Sequence, residues 1–574
     1  MKKLLLGNEA LAQGAYEAGL KVACSYPGTP ATEILEYLAR FPDVDCQWST
    51  NEKVAFEVAL AGAIAGARSL FAAKHVGLNV ASDPLMTSAY LGVNAGFLIV
   101  SCDDPGLHSS QNEQDNRFYA LFAKIPLLEP SSPKEAKDFA KEAFKISEKF
   151  DIPVMVRMTT RVSHSKEVIA IDKRKIVKEK NFKPDFEKYV MIPRNAMKRH
   201  EVLESKLRKL KAFSEKTKLN RIELNERSLG FITSGVSYLY AKEMFPEASF
   251  LKLGLSFPLP EKKIREFSSE VEKLIVLEEL EPFLELQIRA LGIEVEGKHP
   301  SFRVGELKPE YIKLILAGKP KPKLEKKARK PSLCPGCPYR PVFWILKKLN
   351  LLVAGDIGCY TLASLPRLSS LHTCLCMGAS ISFHEGFRRV LKGKDVVAVI
   401  GDSTFIHSGI PALINSVYNR ARGLIIILDN ETTAMTGFQD HPGTGKTIKA
   451  EPTRKLRLEE ICRACGVKFI DVLDPYRDLK KLEELIKLRL RQDELSVIIV
   501  RRKCQLLSRK SKPKPLYLKE NCKKCYLCLE IDCPALRKDT NGFIEIDESL
   551  CVGCYLCVEV CKFNALIKNE EQSY

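Results

Sequence analysis

A chain of 574 residues exceeds what one hydrophobic core usually serves, so several domains are expected. The formal charge of +19 sits largely in Lys- and Glu-rich stretches at 173–183, 198–218 and 319–330, which read as solvated surface and linker, and no aromatic-rich basic motif argues for nucleic acid. Apolar runs fall short of the ~20 residues that cross a bilayer, and ten or more of the nineteen cysteines sit in Cys-x-x-Cys-type groups, so a cytoplasmic, metal-binding protein is expected rather than a secreted, disulfide-bonded one.

The first residues, Met1-Lys2-Lys3-Leu4-Leu5-Leu6, imitate a signal peptide, but Gly7-Asn8-Glu9 ends the apolar region too early. Residues 1–165 then alternate strand-like and helical patterns, which predicts one α/β domain. The run Lys21 to Tyr26 ends in Pro27-Gly28-Thr29-Pro30, a turn that opens a helix at Ala31. Phe97 to Ser101 and Val154 to Met158 read as further buried strands. Ahead of them Glu52 opens a helix rich in Ala and Gly, where an acid at the first turn is favoured by the helix dipole whether or not it has another task.

Residues 166–224 are charged and weakly periodic and read as a linker with helical content. A smaller α/β domain is expected at 225–317, carried by Leu229 to Gly235 and Leu274 to Glu279, then a Lys/Pro linker at 318–331 and a third α/β domain at 332–510. In that third domain the apolar run Val396 to Ile400 ends in Gly401-Asp402-Ser403-Thr404, and Leu424 to Leu428 ends in Asp429-Asn430-Glu431-Thr432. Both read as buried parallel strands, and ligands of such sheets sit beyond the carboxyl ends. The Asp402 carboxylate, the Asn430 amide oxygen and the Thr432 carbonyl would together offer hard oxygen ligands to Mg²⁺, which shares its shell with phosphates.

Residues 515–574 carry Cys522-x₂-Cys525-x₂-Cys528-x₄-Cys533-Pro534 and Cys551-x₂-Cys554-x₂-Cys557-x₃-Cys561. Two triplets, each with a remote fourth cysteine, match two [4Fe–4S] clusters whose fourth ligands are exchanged: Cys522, Cys525, Cys528 with Cys561, and Cys533 with Cys551, Cys554, Cys557. Zinc needs only four thiolates, usually in two pairs. The first group carries one extra residue before its fourth cysteine, and the second lacks the following proline.

The Gly-Asp pair followed by Asn about thirty residues on resembles the diphosphate motif of thiamine diphosphate enzymes. With the ferredoxin-like tail and the segments Ser25-Tyr26-Pro27-Gly28-Thr29-Pro30, Lys74-His75-Val76-Gly77, His108 to Asp115, Cys334-Pro335-Gly336-Cys337-Pro338, Gly355 to Tyr360, Cys374 to Ala379 and Thr433 to Gly437, it makes an ordered set. That set resembles the 2-oxoacid:ferredoxin oxidoreductases, most closely the α subunits of their indolepyruvate-oxidising members. The resemblance spans nearly the whole chain and is weakest over 161–225. Two residues depart from the motif: Ser403 stands for its third Gly and Asp429 for its first Asn.

The resemblance implies an α/β multidomain enzyme whose first domain binds the aminopyrimidine of thiamine diphosphate and whose third binds the diphosphate through Gly401, Asp402, Ser403, Asn430 and Thr432. Gly28, Thr29 and Cys376 would also line the cofactor. A Glu52 carboxylate at the pyrimidine nitrogen would favour the tautomer that deprotonates the thiazolium. Thr29, Arg117 and His75 are expected on the substrate side, Arg117 at its carboxylate. The expected reaction decarboxylates an aryl pyruvate, passes two electrons singly to ferredoxin and transfers the acyl group to coenzyme A.

The same resemblance implies a third, inner [4Fe–4S] cluster on Cys334, Cys337, Cys359 and Cys504; inert buried thiols, or zinc with Cys374 and Cys376, are the alternatives. A γ-type domain common in relatives is not found in the sequence, so a separate β subunit and an α₂β₂ assembly are expected. The same chemistry on another 2-oxoacid, and a non-oxidative thiamine decarboxylase, are the competing readings.

Overall fold

The buried runs read from the sequence become central strands of two parallel sheets in the computed structural model, which describes residues 1–322, 331–391, 393–508 and 511–569. The chain divides into two compact units, residues 1–325 and 326–574. The Lys/Pro linker expected at 318–331 falls mostly outside the described residues.

In the first unit a seven-stranded sheet runs in the spatial order Leu255–Phe257, Leu127–Leu128, Val154–Thr159, Phe97–Asp103, Ser69–Lys74, Val22–Ser25, Asp45–Trp48. All neighbours are parallel except the outermost pair, where Leu255–Phe257 runs antiparallel to Leu127–Leu128. Every residue of Phe97–Asp103 and Val154–Thr159 is buried, as strands covered on both faces must be. The lysine-rich start is a strand, Lys2–Leu6, paired antiparallel with Lys166–Ala170. A four-stranded sheet, ordered Lys273–Leu277, Glu226–Thr233, Ala248–Leu253, Asn220–Glu223, forms the smaller α/β layer.

Residues 166–224 differ from the linker expected of them. After the strand Lys166–Ala170, the amides of Lys175 and Lys180 donate to the carbonyls of Glu17 and Gly66, and Lys188 and Lys206 reach Asp151 at 2.9 Å. The 22-residue helix Pro193–Ser214 is held by Arg199 on the carbonyl of Tyr90. The lysines at 173–183 stay exposed, but these main-chain hydrogen bonds and the ammonium groups of Lys188 and Lys206 fasten the segment along the domain as a strap.

The second unit is built on a parallel five-stranded sheet, ordered Leu352–Ala354, Val396–Gly401, Gly423–Asp429, Leu495–Arg501, Phe469–Leu473. Its tail has two short antiparallel strand pairs, Leu516–Tyr517 with Leu566–Ile567 and the hairpin Leu536–Lys538 with Ile544–Ile546, around a small core to which Trp344, Tyr476 and Leu479 of the sheet domain contribute. Among the described residues no helix is long and apolar enough to cross a membrane.

Candidate functional site

In the first unit, four neighbouring strands release their chains at one carboxyl edge, the place where open α/β sheets collect ligands. Val22–Ser25 leads to Gly28 and Thr29, Asp45–Trp48 to Glu52, Ser69–Lys74 to His75, and Phe97–Asp103 to the segment 104–116. Asn51 caps the helix Glu52–Ala65 by accepting the amide of Val54 at 2.9 Å. Glu52 is therefore its first residue, 7% exposed. A methyl group at Gly77 would lie 2.5 Å from its Oε1 and 3.0 Å from its Cδ. Gly77 thus leaves the space in which the Glu52 carboxylate stands, a requirement that spacing alone did not reveal.

His75 is fully buried; its Nε2 lies 3.1 Å from Asn112 Oδ1, and its Nδ1 has no hydrogen-bond partner. The carbonyl of Thr29 accepts from Ser109 Oγ at 3.1 Å, and Gly28 N donates to Thr32 Oγ1 at 3.1 Å. Burial pushes the Lys74 ammonium down to about 8 against the pull of Asp104 and Glu52, while it donates to the Ser109 carbonyl at 2.6 Å. Lys74 thus joins the Gly28–Thr29 turn to the 108–115 loop.

Arg117 sits in a buried ion-pair network. Its side chain is buried, ion-paired to Asp115 at 2.5 Å and Glu278 at 2.6 Å, and donates to the carbonyls of Glu279 and Glu281. Burial would raise Asp115, but Arg117 and Arg157 hold it down to about 2. The guanidinium ties the large sheet domain to the smaller one.

In the second unit Gly401 is in register with Leu428, so Asp402 stands beside Asp429 at adjacent strand ends. Burial and then the Asp402 charge push Asp429 up to about 6, while Arg501, 2.6 Å away, pulls it down. Asp402 accepts the amides of Ser403 at 2.8 Å and Glu431 at 3.0 Å, with His441 Nε2 at 3.4 Å. Thr432 Oγ1 is buried without a partner. Asp402, Asn430 and Thr432 are all buried at these strand ends, with the Asn430 amide oxygen accepting the Thr432 amide at 3.2 Å, and their oxygen donors fit Mg²⁺. A π-helical turn, Phe405–Gly409, follows at once and was not legible in the sequence. Tyr360 donates no less to this geometry, its hydroxyl accepting the Gly401 amide at 3.0 Å.

Cys334, Cys337, Cys359 and Cys504 gather into one set. Burial pushes Cys337 up to about 12 and Cys359 up to about 11; Cys334 repels both thiols, and Cys504 repels Cys334 and Cys359. Such thiols ionise readily only on a metal. Cys374 and Cys376 are exposed, and Cys374 Sγ lies 3.6 Å from the carbonyl of Asp356. Among the described residues no three His, Cys, Asp or Glu side chains close on a single metal ion; a cubane spreads its thiolates over four irons.

The tail contains two hollows. One is lined by Cys522, Cys525, Cys528 and Cys561, the other by Cys533, Cys551, Cys554 and Cys557. Each hollow thus has four thiols around it, a donor set that fits a cubane. The second hollow also touches Pro335, Gly336 and Arg340. A methyl group at Gly336 would come within 2.6 Å of Val552 Cγ2, and the Tyr476 hydroxyl donates to the Cys337 carbonyl at 3.0 Å. The inner cysteine loop and the tail are therefore in direct contact.

Comparison with known families adds three matches. Residues 13–211 match the thiamine-diphosphate-binding domain of pyruvate flavodoxin/ferredoxin oxidoreductases, residues 356–500 the C-terminal binding domain of thiamine pyrophosphate enzymes, and residues 544–567 a 4Fe-4S binding domain. The chain is 40% identical to indolepyruvate oxidoreductase subunit IorA of Archaeoglobus fulgidus, over 98% of this chain and 97% of that one. It is 40% identical to the same subunit of Pyrococcus horikoshii, over 99% and 97%, and 38% identical to that of Methanothermobacter marburgensis, over 98% and 96%.

Proposed function

The chain belongs to the IorA family of indolepyruvate oxidoreductase subunits, and from that premise we propose how its residues divide the work. It is the thiamine-diphosphate-dependent catalytic subunit of an indolepyruvate ferredoxin oxidoreductase. When bound, thiamine diphosphate supplies a carbon nucleophile and a sink for the electrons left by decarboxylation.

Asp402, Asn430 and the Thr432 carbonyl would hold Mg²⁺, which would supply charge to neutralise the diphosphate; the crowding of Asp402 against Asp429 supports this, because a divalent cation would relieve it. Glu52 holds a proton at the aminopyrimidine ring nitrogen, in a buried position kept open by Gly77. The inner four cysteines and the two tail sets would hold three [4Fe–4S] clusters, which would supply one-electron transfer toward ferredoxin. Coenzyme A accepts the acyl group, and a separate β subunit completes an α₂β₂ enzyme.

The observation that carries the oxidative reading is the hydrogen bond, 3.1 Å long, from the Cys504 amide to the Asn430 carbonyl. It ties the main chain of an inner-set cysteine to that of a proposed Mg²⁺ ligand, so an inner cluster would stand beside the cofactor. The test is anaerobic purification with the β subunit, cofactor analysis, and viologen reduction with a panel of 2-oxoacids. Indolepyruvate with coenzyme A should give the fastest reduction, and Asp402→Ala should bind thiamine diphosphate weakly at any Mg²⁺ concentration. Aldehyde as sole product without coenzyme A, or normal cofactor content in Asp402→Ala, would overturn the reading.

A further inference from the structure

Arg340, the first residue of the helix Arg340–Lys348, is fully buried. Its guanidinium donates to the carbonyls of Leu333 and Cys334 on one side and of Ile531 and Asp532 on the other, at 3.1 Å for Cys334 and 2.7 Å for Ile531. Its Nε has no partner. The Asp532 carboxylate, next to one of those carbonyls, feels the Arg340 charge, but the ion pair it makes, at 3.9 Å, is with Arg367. Among the described residues the other buried arginines are ion-paired: Arg117 with Asp115 and Glu278, Arg157 with Asp103 and Glu129.

A guanidinium stays charged at any pH a protein meets, and a buried charge without a counter-charge is costly. Carbonyl dipoles solvate it but do not neutralise it. What surrounds it is sulfur. Arg340 lines the hollow of Cys533, Cys551, Cys554 and Cys557, and its other bonds fix the loop that carries Cys334 and Cys337. Each cubane with four thiolates is negative, and one unit more negative once reduced.

We propose that Arg340 is the shared buried counter-charge of the inner cluster and the adjacent tail cluster, and that it raises the reduction potential of both. It acts through the clusters and touches no substrate, so it is a tuning and positioning residue. A positive charge between two carriers stabilises the electron on either, which makes their exchange nearly balanced and keeps both poised to accept from the thiamine site. This rests on the cysteine assignments proposed above. An iron count on the unsubstituted protein tests those assignments, and the Arg340 variants test the charge alone.

The experiment is a redox titration followed by electron paramagnetic resonance on the complete anaerobic enzyme, comparing wild type, Arg340→Gln and Arg340→Lys. Gln keeps a donor for the carbonyls and removes the charge; Lys keeps the charge. Arg340→Gln should lower the equilibrium constant for one-electron reduction of these clusters about tenfold, ~59 mV, while Arg340→Lys stays near wild type. If Arg340→Gln loses iron while Arg340→Lys retains it with wild-type midpoints, the requirement for charge stands. Unchanged midpoints with full iron in Arg340→Gln, lowered midpoints in Arg340→Lys, or equal iron loss in both variants would overturn the proposal.

Discussion

The amide of Cys504 donates to the carbonyl of Asn430 over 3.1 Å, which places the end of one strand's loop against the proposed metal ligand of its neighbour. The strands Gly423–Asp429 and Leu495–Arg501 are paired residue for residue up to Asp429 and Arg501, so the two residues meet by register. Cys504→Ala should leave the sheet intact and remove one cubane, lowering iron from about twelve to about eight per chain. Iron analysis with acid-labile sulfide checks this, and an unchanged count would take Cys504 out of the inner set.

Gly77→Ala is a test of Glu52 that leaves the carboxylate in the protein. The new methyl group meets Glu52 at 2.5 Å, and the flexible end of that side chain is what yields. Alanine favours a helix over glycine by about 1 kcal/mol, so thermal stability should hold or rise. Turnover should nonetheless fall by roughly 10²-fold, approaching the loss in Glu52→Gln, as displaced general acid–base groups do. Full activity in Gly77→Ala would mean that Glu52 works from another position.

Glu279 gives a pH signature. Burial pushes its carboxyl up to about 7 against the pull of Arg157 and the Leu307 amide. A raised carboxyl means that the folded chain binds more protons than the unfolded one between about pH 4.5 and 7, so stability falls as pH rises through that window. Glu279→Gln cannot ionise and escapes the fall, so it should match wild type near pH 4.5 and exceed it at pH 8, by roughly 3 kcal/mol at most. Tm measured at the two values reads this out; an advantage independent of pH would contradict it.

The exchange of fourth ligands in the tail separates two variants. Cys561→Ala should lose the cluster of Cys522, Cys525 and Cys528, and Cys533→Ala that of Cys551, Cys554 and Cys557, as the linings of the two hollows require. Electron paramagnetic resonance of the reduced proteins distinguishes them. Identical residual spectra from the two variants would refute the exchange.

Much of this was legible because buried parallel strands are written as unbroken apolar runs, and because cysteine spacing is dictated by cluster geometry. Phe97–Asp103, Val396–Gly401 and Gly423–Asp429 were found within one or two residues for that reason. The buried ion pairs of Arg117 were not legible because its partners Glu278 and Glu279 lie more than 160 residues away, and spacing from Gln111 carries no trace of them. The strap at 166–224 was taken for a linker because a lysine that folds its stem onto a domain has the same letter as one in water. Gly77 sat in a quoted motif, but its use, room for a carboxylate, is a distance and not a pattern.

The contact of Gly336 with Val552 bears on how this chain can be cut. Trp344, Tyr476 and Leu479 lean into the small core of the cysteine-rich tail, and Arg340 fastens its carbonyls. A version shortened at residue 515 would bare an apolar seam and strand a buried cation, so it would come out of cells as aggregate and not as a simpler enzyme lacking its wire. Anyone seeking a minimal decarboxylase from this scaffold must keep the tail and disable it from within, cysteine by cysteine.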